Sequence, residues 1–473
     1  MKIDESILPH TPSHKGRHDV EDAASVIPMR GVSLCGRRGF AKSIIAAPFI
    51  GLAGSASAGV EQGVVCSEGG KSHPLAGKKL PTWKPGEFQV HFIYTGVCES
   101  MFWILPDGTT MLLDCGDHSA WKRGKLALWI LPNGNRYAGE WIARYVTRVN
   151  PNGSDVDYMM LSHHHADHGG VDGWGAGDPV NWKGKKIWRS GFVLAAETLK
   201  FRHGFDRGWP DFNDPVPDEQ GDTACLSHMR KTIAYLQERD GLKMERFQVG
   251  AVNQVAMRRN AAEYPAFKIT NICGNGKILC RDGSVKDLFG WLRGYKGWIN
   301  ENCMSLGLMA QYGPFRFYTA GDFAEYMKKP DGTKVRMEDC IAPELDPVDV
   351  AKMGHHGCYS MAKPIVAALR ARVWTACVWD KIHLPDVTLE RLADRSTYPG
   401  PRLIAPGVFT PLKRFEMAGK SFLSDIAPES FEAGHVVLTV APGGKTYNLA
   451  YVTADDESMK VTGAYDFTSR CVG

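Results

Sequence analysis

Four histidines and one aspartate fall within six consecutive positions of the sequence, in the stretch LSHHHADHGG at residues 161–170. The spacing places His163 and His165 on one face of an extended segment, where both imidazoles can bind one ion. The turn that follows directs Asp167 and His168 toward a second ion. Imidazole and carboxylate at this density predict one wall of a two-metal site rather than a solvated surface cluster.

The segments on either side of this motif predict where it lies in the fold. The apolar run VDYMML directly precedes it and has the pattern of a buried strand, and two glycines end it. A strand that ends at metal-binding residues and then turns directs them into the crevice beyond the carboxyl end of a sheet. We therefore expect an α/β fold with its chemistry at strand ends.

The same arrangement recurs along the chain. Residues 88–117 read as three strands joined by a glycine turn and a PDG turn. Residues 300–323 read as two strands followed by a Gly-Asp pair, and residues 348–360 end an apolar run on His355 and His356. Two β-rich halves with ligand-type residues at their strand ends predict a four-layer αββα sandwich, with a long insertion between the halves and the metal site where they meet.

Length and composition describe an ordinary globular protein with a separate N-terminal segment. The chain has 473 residues, is 44% hydrophobic and 23% charged, and carries a formal net charge of only +4. A net charge this small does not by itself indicate that the protein binds nucleic acid. We predict an N-terminal extension with an export signal over 1–58, a lead-in over 59–86 and one α/β domain over 87–473, with the insertion at about 172–299.

The N-terminal segment resembles a twin-arginine export signal. A mildly apolar stretch ends in a small-residue cleavage site after Ala58, and four residues match the signal's motif: Arg37, Arg38, Phe40 and Lys42. The apolar stretch is shorter than the ~20 residues that span a bilayer, so cleavage leaves no stable membrane anchor. The resemblance implies the twin-arginine machinery as a partner and a periplasmic or secreted mature chain. All of the 12 cysteines except Cys35 would then lie where disulfides are permitted.

The order of the motifs resembles the metallo-β-lactamase superfamily and, within it, the ComEC-type hydrolase domain of a DNA-uptake protein and its free-standing relatives. The resemblance covers about residues 88–395. It rests on the HHHADH motif together with four further stretches: LLDCG at 112–116, NENCMSL at 300–306, TAGD at 319–322 and KMGHHG at 352–357. It implies an αββα metallohydrolase fold.

The resemblance also implies roles for individual residues. The metal ligands would be His163, His165, Asp167, His168, Asp322 and one of His355 and His356. Zinc is the first expectation, as two ions, because the donors are imidazoles and carboxylates without cysteine; manganese or iron are alternatives. Asp167 would also be catalytic by orienting a bridging hydroxide, and His383 is the second catalytic candidate. Asp114 either orients a ligand histidine or ends a strand as a turn residue.

Some positions depart from the family pattern. Glu99 stands where an aspartate is expected, and Cys358 where a serine is expected. The third imidazole of the first ion has no clear source: His203 and His228 are the candidates. Asn302 is an alternative that would leave the first ion incompletely coordinated.

These observations predict an exported metal-dependent hydrolase that uses a metal-bridging hydroxide on a phosphodiester, either a small molecule or a short oligonucleotide. A β-lactam or lactone hydrolase is the enzymatic alternative, and a non-catalytic metal-binding module is the alternative of another class. The segment 172–299 is rich in aromatic residues. They either form the core of a small subdomain or build a wall on which a planar or sugar-like substrate stacks.

Overall fold

The computed structural model describes residues 69–118, 130–215, 223–292, 295, 299–323, 326–380, 382–409, 413 and 416–470. These residues belong to one compact unit, Glu61–Gly473. The predicted twin-arginine signal and the start of the predicted lead-in lie outside the described residues.

The described residues form short strands and short helices. The strands are β1 Phe88–Phe92, β2 Met101–Ile104, β3 Thr110–Leu113, β4 Asp155–Met160, β5 Val180–Trp182, β6 Lys185–Ile187, β7 Lys200–Asp206, β8 Lys243–Arg246, β9 Phe267–Gly274, β10 Lys277–Leu279, β11 Val285–Asp287, β12 Gly307–Tyr312, β13 Phe315–Thr319, β14 Tyr326–Lys328, β15 Lys334–Arg336, β16 Val350–Lys352, β17 Val373–Thr375, β18 Leu403–Ile404, β19 Gly434–Val440, β20 Thr446–Thr453 and β21 Val461–Thr468. The α-helices are α1 Ala138–Val149, α2 Ala166–Gly169, α3 Gly191–Ala195, α4 Thr223–Asp240, α5 Met337–Ile341, α6 Lys363–Leu369 and α7 Asp386–Ala393.

Two large sheets contain most of these strands. The first has the order β21-β20-β19-β1-β2-β3-β4-β7-β8, and the second has the order β11-β10-β9-β12-β13-β16-β17-β18. Strands β3, β4, β7 and β8 run parallel to one another, as do β13, β16, β17 and β18. The carboxyl ends of parallel strands lie at the same edge of a sheet, so each sheet offers one edge where loop residues can converge.

Side chains that alternate between the two faces of the central strands separate an inner core from an outer core. In β2 and β3, Trp103 and Met111 pack into the core between the sheets, whereas Phe102 and Leu112 pack into an outer core. Both faces are buried because successive side chains of a strand point to opposite faces.

The helices cover the two outer faces. Apolar residues of α1, α3 and α4 complete the outer core of the first sheet: Trp141, Ile142, Tyr145, Val146, Phe192, Met229 and Ile233. Residues of α6 and α7 complete that of the second sheet: Ile365, Val366, Leu369, Leu389 and Leu392. Helix, sheet, sheet and helix therefore stack in four layers, which confirms the predicted αββα sandwich.

The segment 172–299, expected to be an insertion, supplies strands of both sheets. It contains β7 and β8 of the first sheet and β9, β10 and β11 of the second. Seven of its aromatic residues are buried: Phe192, Phe201, Phe205, Phe212, Phe247, Phe267 and Phe289. Much of this segment is therefore part of the sandwich, and among its described residues only the β5–β6 hairpin forms a small sheet of its own.

Two findings concern the expected export of the chain. All nine described cysteines are free thiols. Within the described residues, no helix is both long enough and apolar enough to cross a membrane.

Candidate metal centre

The predicted ligands follow the carboxyl ends of parallel strands in both sheets. His163, His165, Asp167 and His168 come after β4 in the first sheet, with His165 directly before the short helix α2. In the second sheet Asp322 comes after β13, and His355 and His356 come after β16. The chain thus brings side chains that are far apart in sequence to one edge of the sandwich.

Backbone hydrogen bonds hold three loops of the first half together. The amides of Glu99 and Cys115 donate to the carbonyls of Asp167 and His168, at 2.9 and 2.7 Å. Gly116 lies so close to this turn that a Cβ atom there would stand 1.7 Å from the carbonyl oxygen of Asp167. Only glycine allows this approach, so Gly116 fixes the histidine turn against the end of β3.

Asp322 connects the two halves of the centre. Its Oδ2 lies 3.1 Å from Nε2 of His168 and 3.2 Å from Nε2 of His356. Nε2 of His356 also lies 3.0 Å from Oδ2 of Asp167. His168, Asp322 and His356 form with Glu99 a buried group whose ligand atoms all lie within 4.8 Å of one another. These four side chains could together hold a metal ion.

A second group of nitrogens lies beside this cluster. Nε2 of His163 is 3.0 Å from Nδ1 of His165 and 3.9 Å from Oδ2 of Asp322. The amide nitrogen of Asn302 is 3.2 Å from Nε2 of His355. Asn302 and His355 therefore contact each other, while His356 alone of the histidine pair joins Asp322 and His168.

Asp114 orients two of the imidazoles. Its Oδ2 lies 2.8 Å from Nδ1 of His168 and accepts from the Ser162 hydroxyl at 2.8 Å. The same hydroxyl lies 3.1 Å from Nδ1 of His163. The relay fixes protons on the Nδ1 atoms and leaves both Nε2 atoms on the side of Asp322. Of the two alternatives for Asp114, the geometry supports the orienting carboxylate.

His356 is oriented in the same way by the backbone. Its Nδ1 lies 2.8 Å from the carbonyl oxygen of Cys377, which can only accept, so Nδ1 carries a proton and Nε2 is the nitrogen that faces Asp167 and Asp322. Both His355 and His356 have left-handed backbones, at φ 45° and φ 52°. This conformation is costly for residues other than glycine.

Glu99, the departure from the family pattern, forms a buried ion pair. Its Oε1 lies 2.6 Å from Nζ of Lys352, and neither side chain is exposed. Burial tends to raise the pKa of Glu99, but Lys352 and His356 outweigh it and hold that pKa below its usual value. Lys352 also donates to the Gly321 carbonyl at 2.8 Å, so it ties the Glu99 loop to the turn that carries Asp322.

A second buried ionic network supports the histidine turn from behind. Nε2 of His164 lies 2.9 Å from Oδ2 of Asp206, and the His164 amide donates to Glu301 at 2.8 Å. Arg207 binds both oxygens of Glu301, each at 2.6 Å. Glu301 directly precedes Asn302, so this network joins the end of β7 to the loop that carries Asn302.

The electrostatics of the cluster suit a cation. Burial opposes ionisation of Asp322, yet His168 and His356 hold its pKa well below the usual range. Burial likewise tends to lower the pKa of His168, but Asp322 and Asp167 raise it well above normal. The carboxylates therefore keep their charge by protonating the imidazoles, which is the role that a bound cation would take over.

The donors also fit a divalent metal. Several buried polar atoms at the centre have no hydrogen-bond partner, among them Oδ1 of Asp322, Oδ1 of Asn302 and Nδ1 of His355. Such atoms are costly unless something binds them. Nitrogen and oxygen donors without thiolate match zinc, manganese or iron.

His383 lies directly against this cluster. Its ring stacks on His356 with centroids 4.5 Å apart. Its Nδ1 accepts from the amides of Trp379 and Asp380 at 3.3 and 3.2 Å, so the proton of the neutral ring lies on Nε2. Burial and the charge of His356 hold the pKa of His383 well below normal, which keeps the ring neutral.

The two candidates for a third imidazole lie elsewhere. His203 on β7 contacts Arg258 at 2.8 Å, and His228 in α4 contacts the Ser190 carbonyl at 3.1 Å. Neither belongs to the cluster. Cys358, also singled out in the sequence, lies 3.8 Å from the Ile382 carbonyl at the margin of the site.

Sequence reasoning missed several contributors. Nε2 of His118 lies 3.9 Å from Oδ1 of Asp167, and its ring centroid is 5.3 Å from that of Trp379. The one available signal for His118 was its place just after LLDCG. Arg207 and Glu301 gave no signal, because a pair separated by 94 positions forms no local motif.

A four-layer sandwich with this cluster at the edge of both sheets defines the class of a metallohydrolase. Residues 95–231 match the family model described as Metallo-beta-lactamase superfamily, so the chain carries a domain of that superfamily. The matched residues include the histidine motif, whereas Asp322 and His356 lie beyond them.

Other comparisons add little to this identification. No curated protein matches the chain. Among the solved structures that match is a diphosphatase from the PhnP family, at 11% identity and a TM-score of 0.27, over 62% of this chain and 86% of that chain.

Proposed function

We propose that the protein is an exported metal-dependent hydrolase that acts on phosphodiesters, with zinc as its preferred metal. The observation that supports this most strongly is the junction at Asp322, where one carboxylate meets His168 from the first half and His356 from the second. A non-catalytic module would need neither the bridging carboxylate nor the oriented His383 beside it.

The proposed ligands divide between two ions. His163 and His165 would hold the first, Asp167, His168 and His356 the second, and Asp322 both. A divalent pair bound there lowers the pKa of a bound water and stabilises negative charge on the attacked group. His355 contacts Asn302 and is assigned to the first ion's surroundings, not to the ligand set.

The chain's own residues supply orientation and hydrogen bonding. Asp167 presents a carboxylate between His356 and His118 and is placed to orient the attacking water. His383 holds a proton on Nε2, and no described residue accepts a hydrogen bond from it, so this N–H can donate a hydrogen bond to a leaving-group oxygen.

A phosphodiester suits the surroundings of the first ion. Because His203 and His228 lie elsewhere, an ion held by His163 and His165 would have few protein ligands and would keep open positions. Anionic phosphate oxygens can complete its coordination, whereas a neutral β-lactam or lactone carbonyl is a weaker ligand. The resemblance to the ComEC-type hydrolase domain supports the same substrate class.

The test compares substrates on one preparation. Zinc- and manganese-loaded protein is assayed on a nitrophenyl phosphodiester, single-stranded DNA, nitrocefin and a simple lactone. We expect the diester to be the best small substrate and Asp167→Asn to abolish its hydrolysis, with His203→Ala as the matched control that keeps it. Faster hydrolysis of nitrocefin or the lactone, lost in Asp167→Asn, would refute the substrate class.

Export is tested separately. The proposal places the mature N-terminus at Gly59 and the protein in the periplasm or medium, delivered by the twin-arginine machinery. Arg37→Lys with Arg38→Lys should retain the precursor inside the cell, as seen by fractionation and N-terminal sequencing. Unchanged export of this variant would refute the route.

A further inference from the structure

A groove lies between the β5–β6 hairpin and helix α4, on the helical side of the first sheet. It consists of two adjoining cavities of about 500 and 400 Å³, which share Lys185 and Lys231. Both volumes fall within the range of ligand pockets. The groove is lined by Trp182, Trp188, Lys185, Lys186, Arg230 and Lys231.

The groove carries positive charge that the protein does not neutralise. Lys185, Lys186 and Arg230 are exposed, and no described residue forms an ion pair with any of them. Asp172, the acidic residue in the lining, already binds Lys231 at 2.5 Å and Ser227 at 2.9 Å. The remaining cations therefore favour an anionic ligand although the whole chain is close to neutral.

Two tryptophans stand among these cations. Trp182 and Trp188 are only partly buried and each lines one of the two cavities. The Trp182 ring packs edge-on against Tyr235, with ring centroids 6.1 Å apart at 69°. Indole rings beside unpaired cations are the combination with which proteins bind the bases and phosphates of single strands.

The groove begins close to the metal centre. Asp172 in its lining follows His168 by four positions, so the two lie within about 14 Å of each other along the chain. The Asp172 amide donates to the Ala224 carbonyl at 3.3 Å, which fixes this end of the groove to the start of α4.

We propose that this groove binds the part of a single-stranded oligonucleotide that extends away from the metal centre. Lys185, Lys186 and Arg230 contact phosphates, and Trp182 and Trp188 stack on bases. Stacking needs unpaired bases, so duplex DNA binds less well. The inference rests on the proposed phosphodiester substrate and adds a binding site outside the metal centre.

The experiment measures binding of a fluorescein-labelled, phosphorothioate-linked oligothymidylate by anisotropy at several salt concentrations. Combined Lys185→Gln, Lys186→Gln and Arg230→Gln should reduce the slope of log K against log salt by about 2, at about 0.7 per lost phosphate contact. Trp182→Ala and Trp188→Ala should each weaken binding about tenfold. The matched control neutralises three exposed lysines elsewhere and should bind like the parent: Lys78, Lys79 and Lys268.

Hydrolysis of the nitrophenyl diester, which is too small to reach the groove, should be unchanged in all of these variants. If the unsubstituted protein hydrolyses the diester but does not bind the oligonucleotide, the proposed binding groove is wrong and the proposed function stands. If it binds the oligonucleotide but does not hydrolyse the diester, the proposed function is wrong and the binding groove stands. The groove is also overturned if the triple variant keeps the parent's slope, if both tryptophan variants bind normally, or if anionic phosphatidylglycerol vesicles bind in place of the oligonucleotide.

Discussion

Asp114 lies behind the candidate metal centre and orients two of its histidines. It reaches His168 directly and His163 through Ser162, and it never faces Asp322 itself. Its effect is therefore expected on affinity for the metal rather than on the reaction, because an oriented imidazole binds without first losing rotational freedom.

Asp114→Asn should lower zinc affinity about 10- to 100-fold, in the range found for groups that orient ligand histidines. Ser162→Ala should have a smaller effect, because it removes the link to His163 and leaves the direct contact to His168. Competition with a chromogenic zinc chelator measures both, and circular dichroism checks the fold. Equal affinity in Asp114→Asn and the parent would contradict the orienting role.

The Glu99–Lys352 pair is expected to matter for stability. Lys352→Met leaves a buried carboxylate without its partner and should cost about 3–5 kcal/mol of unfolding free energy. Adding Glu99→Gln to Lys352→Met should recover part of this loss, since the uncompensated charge is removed. Urea denaturation of the parent, the two single variants and the double variant gives the coupling free energy between the two residues. If the losses of unfolding free energy in the single variants add up to the loss in the double variant, the pair does not interact.

At the scale of elements, the centre depends on turns that hold strand ends together. Gly116→Ala should prevent correct folding or strongly lower the melting temperature, because the added Cβ would overlap the Asp167 backbone. Gly134→Ala is the control, since a Cβ there meets nothing within 4 Å. Similar melting temperatures for the two variants would show that the turn can move aside.

The elements also show what sequence can and cannot predict. Strand β4 and the His163–His168 motif were predicted because the hydrophobic run, the metal-binding residues and the two glycines follow one another directly in the chain. The contact of Asn302 with His355 depends on how two loops from different strands approach. Strand β7 was not predicted, because its segment was interpreted as an insertion whose aromatic residues form either the core of a small subdomain or a wall on which a substrate stacks.

The site residues that are dispersed along the chain were predicted from the family resemblance and not from local sequence patterns. It named Asp322 and the histidine pair, and only the folded geometry brings His356 rather than His355 to Asp322. It assigned no partner to Glu99. The folded structure shows that Lys352 is this partner, because the two loops that carry them lie against each other.

At the scale of the whole molecule, a surface ion pair links α1 to the turn before β21. Glu457 contacts Arg144 and Arg148, whose hydrogen bonds lower its pKa to about 2 from an ordinary 4.5. Because the folded pKa is depressed, this stabilisation is present above about pH 4.5 and is lost as the pH falls toward 2.

Glu457→Gln should therefore lower the melting temperature near pH 7 and have no effect near pH 2. The change in unfolding free energy should be at most about 1 kcal/mol, since the side chains are partly exposed and solvent screens the pair. Glu263→Gln, which removes an exposed carboxylate with no ion pair among the described residues, is the control. A loss that persists at pH 2 would show that packing, not charge, is responsible.

The junction at Asp322 also has a consequence for the topology of the chain. His168 and Asp322 are 154 positions apart, so an ion held by both closes a loop of that length. All nine described cysteines are free, and no described disulfide constrains this loop. A cross-link of that span removes conformational entropy from the unfolded chain worth about 5 kcal/mol in the loop-closure treatment of disulfides. A metal bound there would therefore act as a reversible staple between the two sheets, released by a chelator where a disulfide would need a reductant.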